Sequence, residues 1–167
     1  TVIVISPSHA EYFSGISIYN GDAYETPLGL VEIDQQMVDK LVENSKIIFR
    51  GIQGHRKEHA LEVQIPFLQS VLSEFKLVPI VMGDQSKMFV DELAERISKI
   101  VDDETLVVAS SDLSHFYSSV EADRLDSVVE KRINDFDFNQ LLLDLDDHEC
   151  EACGGGPIVV MMKAASL

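Results

Sequence analysis

The sequence has few cysteines and few cations, and each shortage excludes a class of protein. Two cysteines among 167 residues cannot form the disulfide framework of a small secreted domain. Thirteen Lys and Arg stand against 29 Asp and Glu, which gives a net charge of −16. Because such a surface repels nucleic acid phosphates and anionic membranes, we expect a protein that binds neither. The low cysteine content makes the cytoplasm the expected location.

Long apolar runs and nucleotide-binding motifs are also missing. The apolar runs are far shorter than the ~20 residues that cross a bilayer, and no signal peptide is visible. The glycines of "CGGGP" (153–157) match neither a dinucleotide fingerprint nor a P-loop. With 46% apolar and 25% charged residues, the composition is that of a globular domain with a substantial core.

The two ends of the sequence suggest a longer protein. Thr1 lies directly inside a predicted strand with no Met before it, and "MMKAASL" at the end resembles an unfinished helix. We therefore expect residues 1–167 to form a single α/β domain that is truncated at both ends, with part of any site outside it.

Short apolar runs alternate with helical patterns along the chain, which predicts buried strands between helices. The predicted strands cover 1–6, 47–52, 76–83 and 105–111, with a hairpin over 15–29 that turns at Asn20-Gly21-Asp22. The predicted helices cover about 34–44 with Asp34 as cap, 59–75 with a kink at Pro66, 86–101, 119–134, 137–145, and a last one with Pro157 in its first turn. This alternation predicts a three-layer α/β/α sandwich around a mixed, mostly parallel sheet.

Two of the five histidines follow the ends of predicted strands. His9 comes after the first strand, and His115 follows "VVASSD" (107–112). Because ligands bind outside the carboxyl ends of strands in open α/β sheets, both imidazoles are candidates for a site. Asp112 could share a pocket with His115, where it would orient an imidazole, accept a proton or bind metal. Alternatively, Asp112 could cap a helix.

The other histidines have weaker settings in the sequence. His59 begins a predicted helix, whereas His55 and His148 are interpreted as surface residues. Glu58 and Glu62 flank His59, and in so acidic a chain we interpret such glutamates as solvated.

Cys153 precedes three glycines and a predicted helix N-terminus. Backbone N–H groups and the helix dipole would favour a thiolate there, which is both a nucleophile and a soft metal ligand. The alternative is a small buried residue beside a glycine turn. A zinc knuckle that includes Cys150 lacks a second pair of ligands, and a redox CxxC usually follows a strand closely, so Cys150 is interpreted as incidental. A mixed set of His and Cys suits zinc, copper or iron rather than magnesium or calcium.

Six ordered blocks spread over essentially the whole chain resemble the Memo family, whose microbial members are called AmmeMemoRadiSam system protein B. The blocks are "SPSHAEYFSGISIY", "ETPLGLVEID", "EHALEVQIPFLQ", "LVPIVMGD", "VVASSDLSH" and "CGGGPIVVMM". The resemblance implies a fold like that of the class III extradiol dioxygenases, which are non-haem iron enzymes. The family name also suggests a radical-SAM protein as a partner.

The resemblance implies a metal site for iron or copper. His9 and Cys153 match two residues to which metal ligation is ascribed in the family. A third ligand, the histidine of a Pro-His-Ala-Gly-Tyr segment, should precede residue 1 and is absent from this sequence. The family's dioxygenase relatives carry a carboxylate where Cys153 stands, and a thiolate instead favours copper(I) or a redox role.

The resemblance also implies a pocket beside that metal site. Ser111, Asp112 and His115 match the family's Ser-Ser-Asp-x-x-His segment, and His59 matches a Glu-His-x-x-Glu block nearby. We expect Asp112 and His115 to act as acid–base partners in a redox or dioxygenase-like reaction. The competing hypothesis is a non-catalytic module that binds a peptide or protein in the same cleft, since some family members are described as binding phosphotyrosine-type peptides.

Overall fold

The chain forms seven strands and six α-helices, and the computed structural model describes residues 1–167. The strands are β1 (Val2–Pro7), β2 (Ile16–Tyr19), β3 (Ala23–Thr26), β4 (Gly29–Glu32), β5 (Ile48–Gly51), β6 (Leu77–Met82) and β7 (Leu106–Ala109). The helices are α1 (Gln35–Val42), α2 (Ile65–Val71), α3 (Lys87–Ser98), α4 (Ser119–Asn134), α5 (Phe138–Asp146) and α6 (Gly155–Ser166), and a 3₁₀ turn over Glu62–Gln64 precedes α2.

Five of the strands form one mixed sheet in the order β5-β2-β6-β1-β7. β1 runs parallel to β6 and β7, and β2 runs parallel to β5, whereas β2 and β6 are antiparallel. Every residue of β1 and β6 is buried, so helices and loops cover both faces of the sheet. The predicted three-layer α/β/α sandwich with a mixed, mostly parallel sheet is confirmed.

The central strands are continuous apolar runs, as expected for strands that are covered on both faces. β6 nevertheless contains Pro79, which has no N–H to donate to a neighbouring strand. Pairing with β2 ends at Ile80, directly beside that proline, whereas pairing with β1 continues through Val4. The proline therefore lies where β6 has only one neighbour.

Three of the six α-helices, α1, α4 and α5, begin at side-chain caps that the sequence displays. Asp34 accepts a hydrogen bond from the backbone N–H of Met37 at 3.0 Å and caps α1 as predicted. Ser118 caps α4 and Asp137 caps α5 in the same way. Pro157 lies in the first turn of α6, as predicted. None of the helices combines the length and the apolar character that a membrane crossing requires.

The predicted hairpin over 15–29 is wrong. β2 is an inner strand of the main sheet, and the two-stranded ribbon consists of β3 and β4 instead. The Asn20-Gly21-Asp22 segment joins β2 to this ribbon without pairing the strands on either side of it. The ribbon turns at 27–28, and Gly29 follows with a φ of 117°, a conformation that glycine adopts without strain.

The predicted kinked helix over 59–75 is also wrong. Residues 59–61 are not helical, and Pro66 lies in the first turn of α2, where its missing N–H costs no hydrogen bond. The apolar spacing over this stretch extends beyond the helix because Leu61 is buried from the preceding loop. The helical pattern and the proline therefore indicate the start of a helix at this point. Residues 59–61 belong to the loop before it, from which Leu61 packs into the core.

Candidate functional site

The carboxyl ends of β1, β6 and β7 meet at one edge of the sheet because these three strands are parallel. His9 follows β1, Gln85 follows β6, and the segment Ser110–His115 follows β7. The prediction that His9 and His115 follow strand ends is therefore confirmed at the level of the fold. Neither β2 nor β5 contributes a carboxyl end here, since both run in the opposite direction.

A buried carboxylate, Glu58, organises the β1 side of this edge. Its Oε2 accepts hydrogen bonds from the backbone N–H groups of His9 and, at 3.2 Å, Ala10. Its Oε1 accepts from the backbone N–H groups of His59 at 2.9 Å and Ala60 at 3.0 Å, and it lies 3.2 Å from the ring Nδ1 of His9. The interpretation of Glu58 as a solvated surface residue is wrong, since its side chain is only 1% exposed.

The hydrogen bonds to Glu58 outweigh the effect of its burial. Burial alone would raise the pKa of Glu58, but the backbone N–H groups of Ala60, His9 and His59 and the His9 ring together lower that pKa to about 2. The carboxylate is therefore ionised and can act only as an acceptor. A single charge in this position ties the segment after β1 to the segment 58–60, about 50 residues later.

His59 lies beside the same carboxylate but is much less constrained than His9. Its ring Nδ1 is 3.7 Å from Glu58 Oε1, which is too long for a hydrogen bond. Its side chain is 74% exposed, compared with 46% for His9. The two imidazole centroids are 6.5 Å apart. Glu58 thus brings His9 and His59 together, although it holds only the ring of His9.

Ser110 connects this corner to the end of β7. Its hydroxyl donates to the backbone carbonyl of Ala60 at 2.8 Å and accepts from Nε2 of Gln64 at 2.9 Å. Ser110 itself is buried, and its backbone N–H donates to the carbonyl of Ile5 in β1. The segment around Glu58 is therefore fixed against the sheet at the point where β1 and β7 end.

The thiol of Cys153 lies at the β7 side of the edge. Its Sγ accepts a hydrogen bond from the backbone N–H of Asp112 at 3.0 Å, and the Cys153 N–H donates to the Asp112 carbonyl at 3.1 Å. Ser111 Oγ is 3.9 Å from the same sulfur and accepts from the N–H of Gly154 at 2.9 Å. Cys153 is half-buried and lines a cavity, so it is not simply a packed core residue.

The glycines after Cys153 allow α6 to approach β7 closely. A Cβ on Gly154 would lie 2.1 Å from the carbonyl oxygen of Ser110, where no side chain fits. Gln85 spans the same turn, because its Nε2 donates to the Cys153 carbonyl at 2.9 Å and its Oε1 accepts from Gly156 at 2.8 Å. The N–H groups at the start of α6 are thus occupied by protein acceptors, and this helix end has no free N–H cluster for an anion.

His115 lies in the exposed part of the loop after β7. Its Nδ1 is 2.6 Å from the carbonyl oxygen of Leu113, so Nδ1 carries the proton and Nε2 is the nitrogen open to a ligand. His115, Gln85, Cys153 and the exposed His148 line a cavity of about 360 Å³. The surface position predicted for His148 is confirmed.

The Asp112 side chain is exposed, and the backbone of this residue makes its contacts with Cys153. The alternative that Asp112 caps a helix is wrong, since the next helix, α4, begins seven residues later and has Ser118 as its cap. The carboxylate of Asp112 is therefore not occupied by helix capping.

A larger surface groove, about 1020 Å³, lies between α1 and α3 and contains none of the candidate residues. It is lined mainly by charged side chains, several of which pair with one another, such as Arg96 with Glu92 and Lys99 with Glu95. This pairing is typical of a solvated helix surface.

Two residues that the sequence analysis interpreted as a surface residue and as incidental are packed against other parts of the chain, His55 half-buried and Cys150 fully buried. His55 is packed between Tyr24 and the backbone of Ser17, so its assignment to the surface is wrong. Cys150 is only 1% exposed, and burial raises the pKa of its thiol to about 11. Both cysteines are free, so "CEAC" does not form a disulfide here.

The chain contains no group of three or more His, Cys, Asp or Glu side chains placed to hold a metal ion. Imidazole and thiolate are nevertheless the donors that iron, copper and zinc accept. His9 and Cys153 therefore carry donors of the kind that such a metal accepts, and a complete coordination sphere would need at least one further ligand.

The fold and the site define a class of protein, an α/β sandwich that carries imidazole and thiol groups at the carboxyl edge of a mixed sheet. The family model described as "Memo-like protein" matches residues 1–167. A MEMO1 family protein of Methanobrevibacter smithii is 36% identical over 163 residues, which cover 96% of this chain and 58% of that protein. MEMO1 family proteins of Sulfurisphaera tokodaii and Sulfolobus acidocaldarius are 35% and 36% identical, each over 99% of this chain and 60% of the relative.

The chain therefore belongs to the Memo-like protein family. It spans about 60% of the length of the curated relatives it matches. The family resemblance based on the six sequence blocks is confirmed.

Proposed function

We propose that the carboxyl edge of β1 and β7 holds an iron or copper centre and that the protein is a redox or dioxygenase-like member of its family. His9 and Cys153 are the proposed ligands from this chain. The remaining ligand would come from outside these 167 residues, as the family's Pro-His-Ala-Gly-Tyr segment suggests. A cytoplasmic location and a radical-SAM partner stay predictions from the sequence.

The observation that supports this proposal best is a continuous hydrogen-bonded frame between the two proposed ligands. It runs from His9 to Glu58, through Ala60 and Ser110, and on through the peptide after Ser110 to the N–H of Asp112, which contacts Cys153 Sγ. Side chains on rigid, cross-linked segments are already in position before a metal ion or substrate binds. A metal site or a catalytic site requires this preorganisation.

The groups around the proposed ligands can move protons. His115 has Nε2 open toward the cavity because Leu113 occupies Nδ1, so it can donate or accept a proton there. Asp112 is its proposed acid–base partner, and Ser111 and His59 are proposed as polar neighbours of the site, although none of these three residues lines the cavity that contains His115. A bound iron or copper ion would supply one-electron redox chemistry at this edge.

The decisive experiment is elemental analysis of the anaerobically purified full-length protein, followed by titration with Cu(I) and Fe(II). We expect iron or copper to copurify with the wild type, and His9→Gln and Cys153→Ser to lose it. Cys150→Ala is the matched control for the loss of a thiol and should retain the metal, because the Cys150 side chain is buried. Equal metal affinity in Cys153→Ala and the wild type would contradict the proposal.

One observation favours a second candidate function, the binding of a peptide or protein. Phe116, next to His115, is 101% exposed and has a left-handed φ of 71°, which is unusual for a non-glycine residue. Tyr117 and Leu113 are also partly exposed in this loop, so the loop offers apolar contacts to a partner. The net charge of −16 disfavours a phosphorylated peptide unless cations are concentrated locally.

This alternative is tested with a phosphotyrosine peptide and its unphosphorylated form. If the cleft is a binding module, affinity would survive a chelator and would fall in Phe116→Ala. The exposed Val120→Ala is the matched control, since it removes an apolar surface group outside the loop. Failure of both peptides to bind would eliminate this candidate for tyrosine-containing ligands.

A further inference from the structure

We propose that Glu58 is a positioning residue for His9: it fixes the ring as the Nδ1–H tautomer and presents a bare Nε2 to the site. The inference deepens the proposed function, and its consequence for a metal rests on that function. The tautomer itself is a property of the metal-free protein, so it can be tested separately.

The division of hydrogen bonds between the two carboxylate oxygens leads to this assignment. Oε2 accepts only from the backbone, at His9 and Ala10. Oε1 accepts from the backbone of His59 and Ala60 and faces the His9 ring at 3.2 Å. Four backbone N–H donors occupy the two oxygens as acceptors, so the fifth partner, Nδ1, must carry a proton.

Holding the loop would not require this fifth contact. The four backbone bonds already fix where the segments 9–10 and 59–60 lie relative to each other. The bond to Nδ1 additionally fixes the rotation of the His9 ring. His59 supplies an internal contrast, because its backbone is held by the same oxygen while its ring stays 3.7 Å away and is 74% exposed.

The exposure of the two partners also agrees with a positioning role. The Glu58 side chain is 1% exposed and that of His9 is 46% exposed, so the anchored side of the ring is buried and the opposite side faces outward. A carboxylate on one imidazole nitrogen sets the tautomer and raises the basicity of the other nitrogen, which is how ligating and catalytic histidines are prepared. The sequence places Glu58 next to His59, but the ring that it orients is that of His9.

The tautomer is measured by two-bond ¹H–¹⁵N correlation spectra of the full-length protein at alkaline pH without metal. His9 signals are assigned by their loss in His9→Gln. We expect Nδ1 of wild-type His9 to be the protonated nitrogen and Nε2 the bare one. The reverse tautomer in the wild type would overturn the inference.

Glu58→Gln is the informative variant because its amide N–H₂ can donate to the ring instead of accepting from it. We expect the Nδ1–H preference of His9 to be lost, with the tautomer of His115 unchanged. Glu62→Gln, four residues away, is the matched control and should leave His9 unchanged. A folded Glu58→Gln protein with the wild-type His9 tautomer would overturn the inference; if this variant does not fold, the wild-type spectrum decides.

A metal titration separates this inference from the proposed function. If both hold, Glu58→Gln should bind Cu(I) or Fe(II) about 10- to 100-fold more weakly than the wild type and Glu62→Gln. If the His9 tautomer depends on Glu58 but the wild type binds neither metal, the positioning role stands and the metal proposal fails. If the metal binds but its affinity is the same in Glu58→Gln, the positioning role is overturned for ligand binding.

Discussion

His9 and His55 each have a hydrogen bond at ring Nδ1, but the two histidines serve opposite purposes. Nδ1 of His55 accepts from the Tyr24 hydroxyl at 2.7 Å, and its Nε2 contacts the Ser17 carbonyl at 3.3 Å, so both nitrogens are occupied. Nδ1 of His9 contacts a buried carboxylate, and its other nitrogen faces outward. The comparison teaches that a site candidate is recognised by a nitrogen left unoccupied, rather than by the presence of a hydrogen bond.

The two regions also differ in how they use charge. Burial lowers the pKa of His55 to about 4, so this ring is neutral at physiological pH. Burial also raises the pKa of Tyr24, with a smaller contribution from Tyr19 beside it. At the other corner, Glu58 stays ionised because backbone N–H groups surround it. One region is held together by neutral groups and the other by a single buried charge.

The largest effect on stability is expected from substituting the buried carboxylate of Glu58. Glu58→Ala should lower the free energy of unfolding by about 3–5 kcal/mol, because four partly buried backbone N–H groups lose their charged acceptor at up to ~1–3 kcal/mol each before water replaces it. Chemical denaturation measures this loss. Glu62→Ala should cost at most about 0.5 kcal/mol, and equal losses in the two variants would remove the distinction between Glu58 and an ordinary surface glutamate.

The region around His55 and Tyr24 should make the free energy of unfolding depend on pH. The pKa of His55 is lower in the folded protein than its ordinary value of 6.5, so protonation favours the unfolded chain. Its contribution is fully present above about pH 6.5 and is lost as the pH falls toward 4, by about 3 kcal/mol. The contribution of Glu58 is lost only below about pH 4.5, as the pH falls toward 2.

Denaturation curves between pH 7 and 4.5 separate these contributions. His55→Gln should flatten the pH dependence in that interval, whereas His148→Gln should leave it as in the wild type. An unchanged slope in His55→Gln would show that the Tyr24–His55 region is not the one that resists protonation.

The two cysteines also differ in whether their thiols are accessible. Cys153 is half-buried and borders a cavity, whereas Cys150 is 1% exposed with the pKa of its thiol raised to about 11. Iodoacetamide should therefore modify Cys153 at least about 10-fold faster, since alkylation needs an accessible thiolate. Peptide mass mapping of the native protein measures both rates, and Cys150→Ala should leave the fast reaction intact. Equal rates would mean that the α5–α6 segment opens readily.

The smallest effect distinguishes the two imidazoles that share Glu58. His59→Ala should change stability by at most about 0.5 kcal/mol, because its ring is exposed and its backbone N–H still reaches Glu58. His9→Ala should cost more, about 1–2 kcal/mol, through the lost bond from Nδ1 to a charged acceptor. Thermal or chemical unfolding compares the pair, and a larger loss in His59→Ala would reverse the proposed roles.

The parts of the fold that the sequence predicts well are those governed by local patterns. The apolar runs of β1 and β6 and the cap of α1 are visible in a few consecutive residues, and the strand-end rule identifies His9 and His115. The strand β2 is different, because whether it pairs with β3 or enters the main sheet depends on β5 and β6, which come much later in the chain.

In the candidate site, the residues at strand ends could be predicted from the sequence, but the contacts between distant segments could not. Nothing near Glu58 in the sequence shows that His9, 49 residues earlier, donates to it. The burial of His55 likewise depends on Tyr24, 31 residues away. Gln85 could have been found, since it follows β6 just as His9 follows β1. Buried polar contacts between distant segments leave no periodic pattern in a sequence.

Gly154 lies so close to the Ser110 carbonyl that only the hydrogen atom of a glycine fits between α6 and the end of β7. A methyl group there would force either the end of β7 or the turn that carries Cys153 to shift, while leaving every reactive group of the protein chemically unchanged. A substitution at Gly154 therefore changes the geometry of the candidate site without removing any of its reactive groups. Such a variant tests the effect of geometry separately from the effect of group identity.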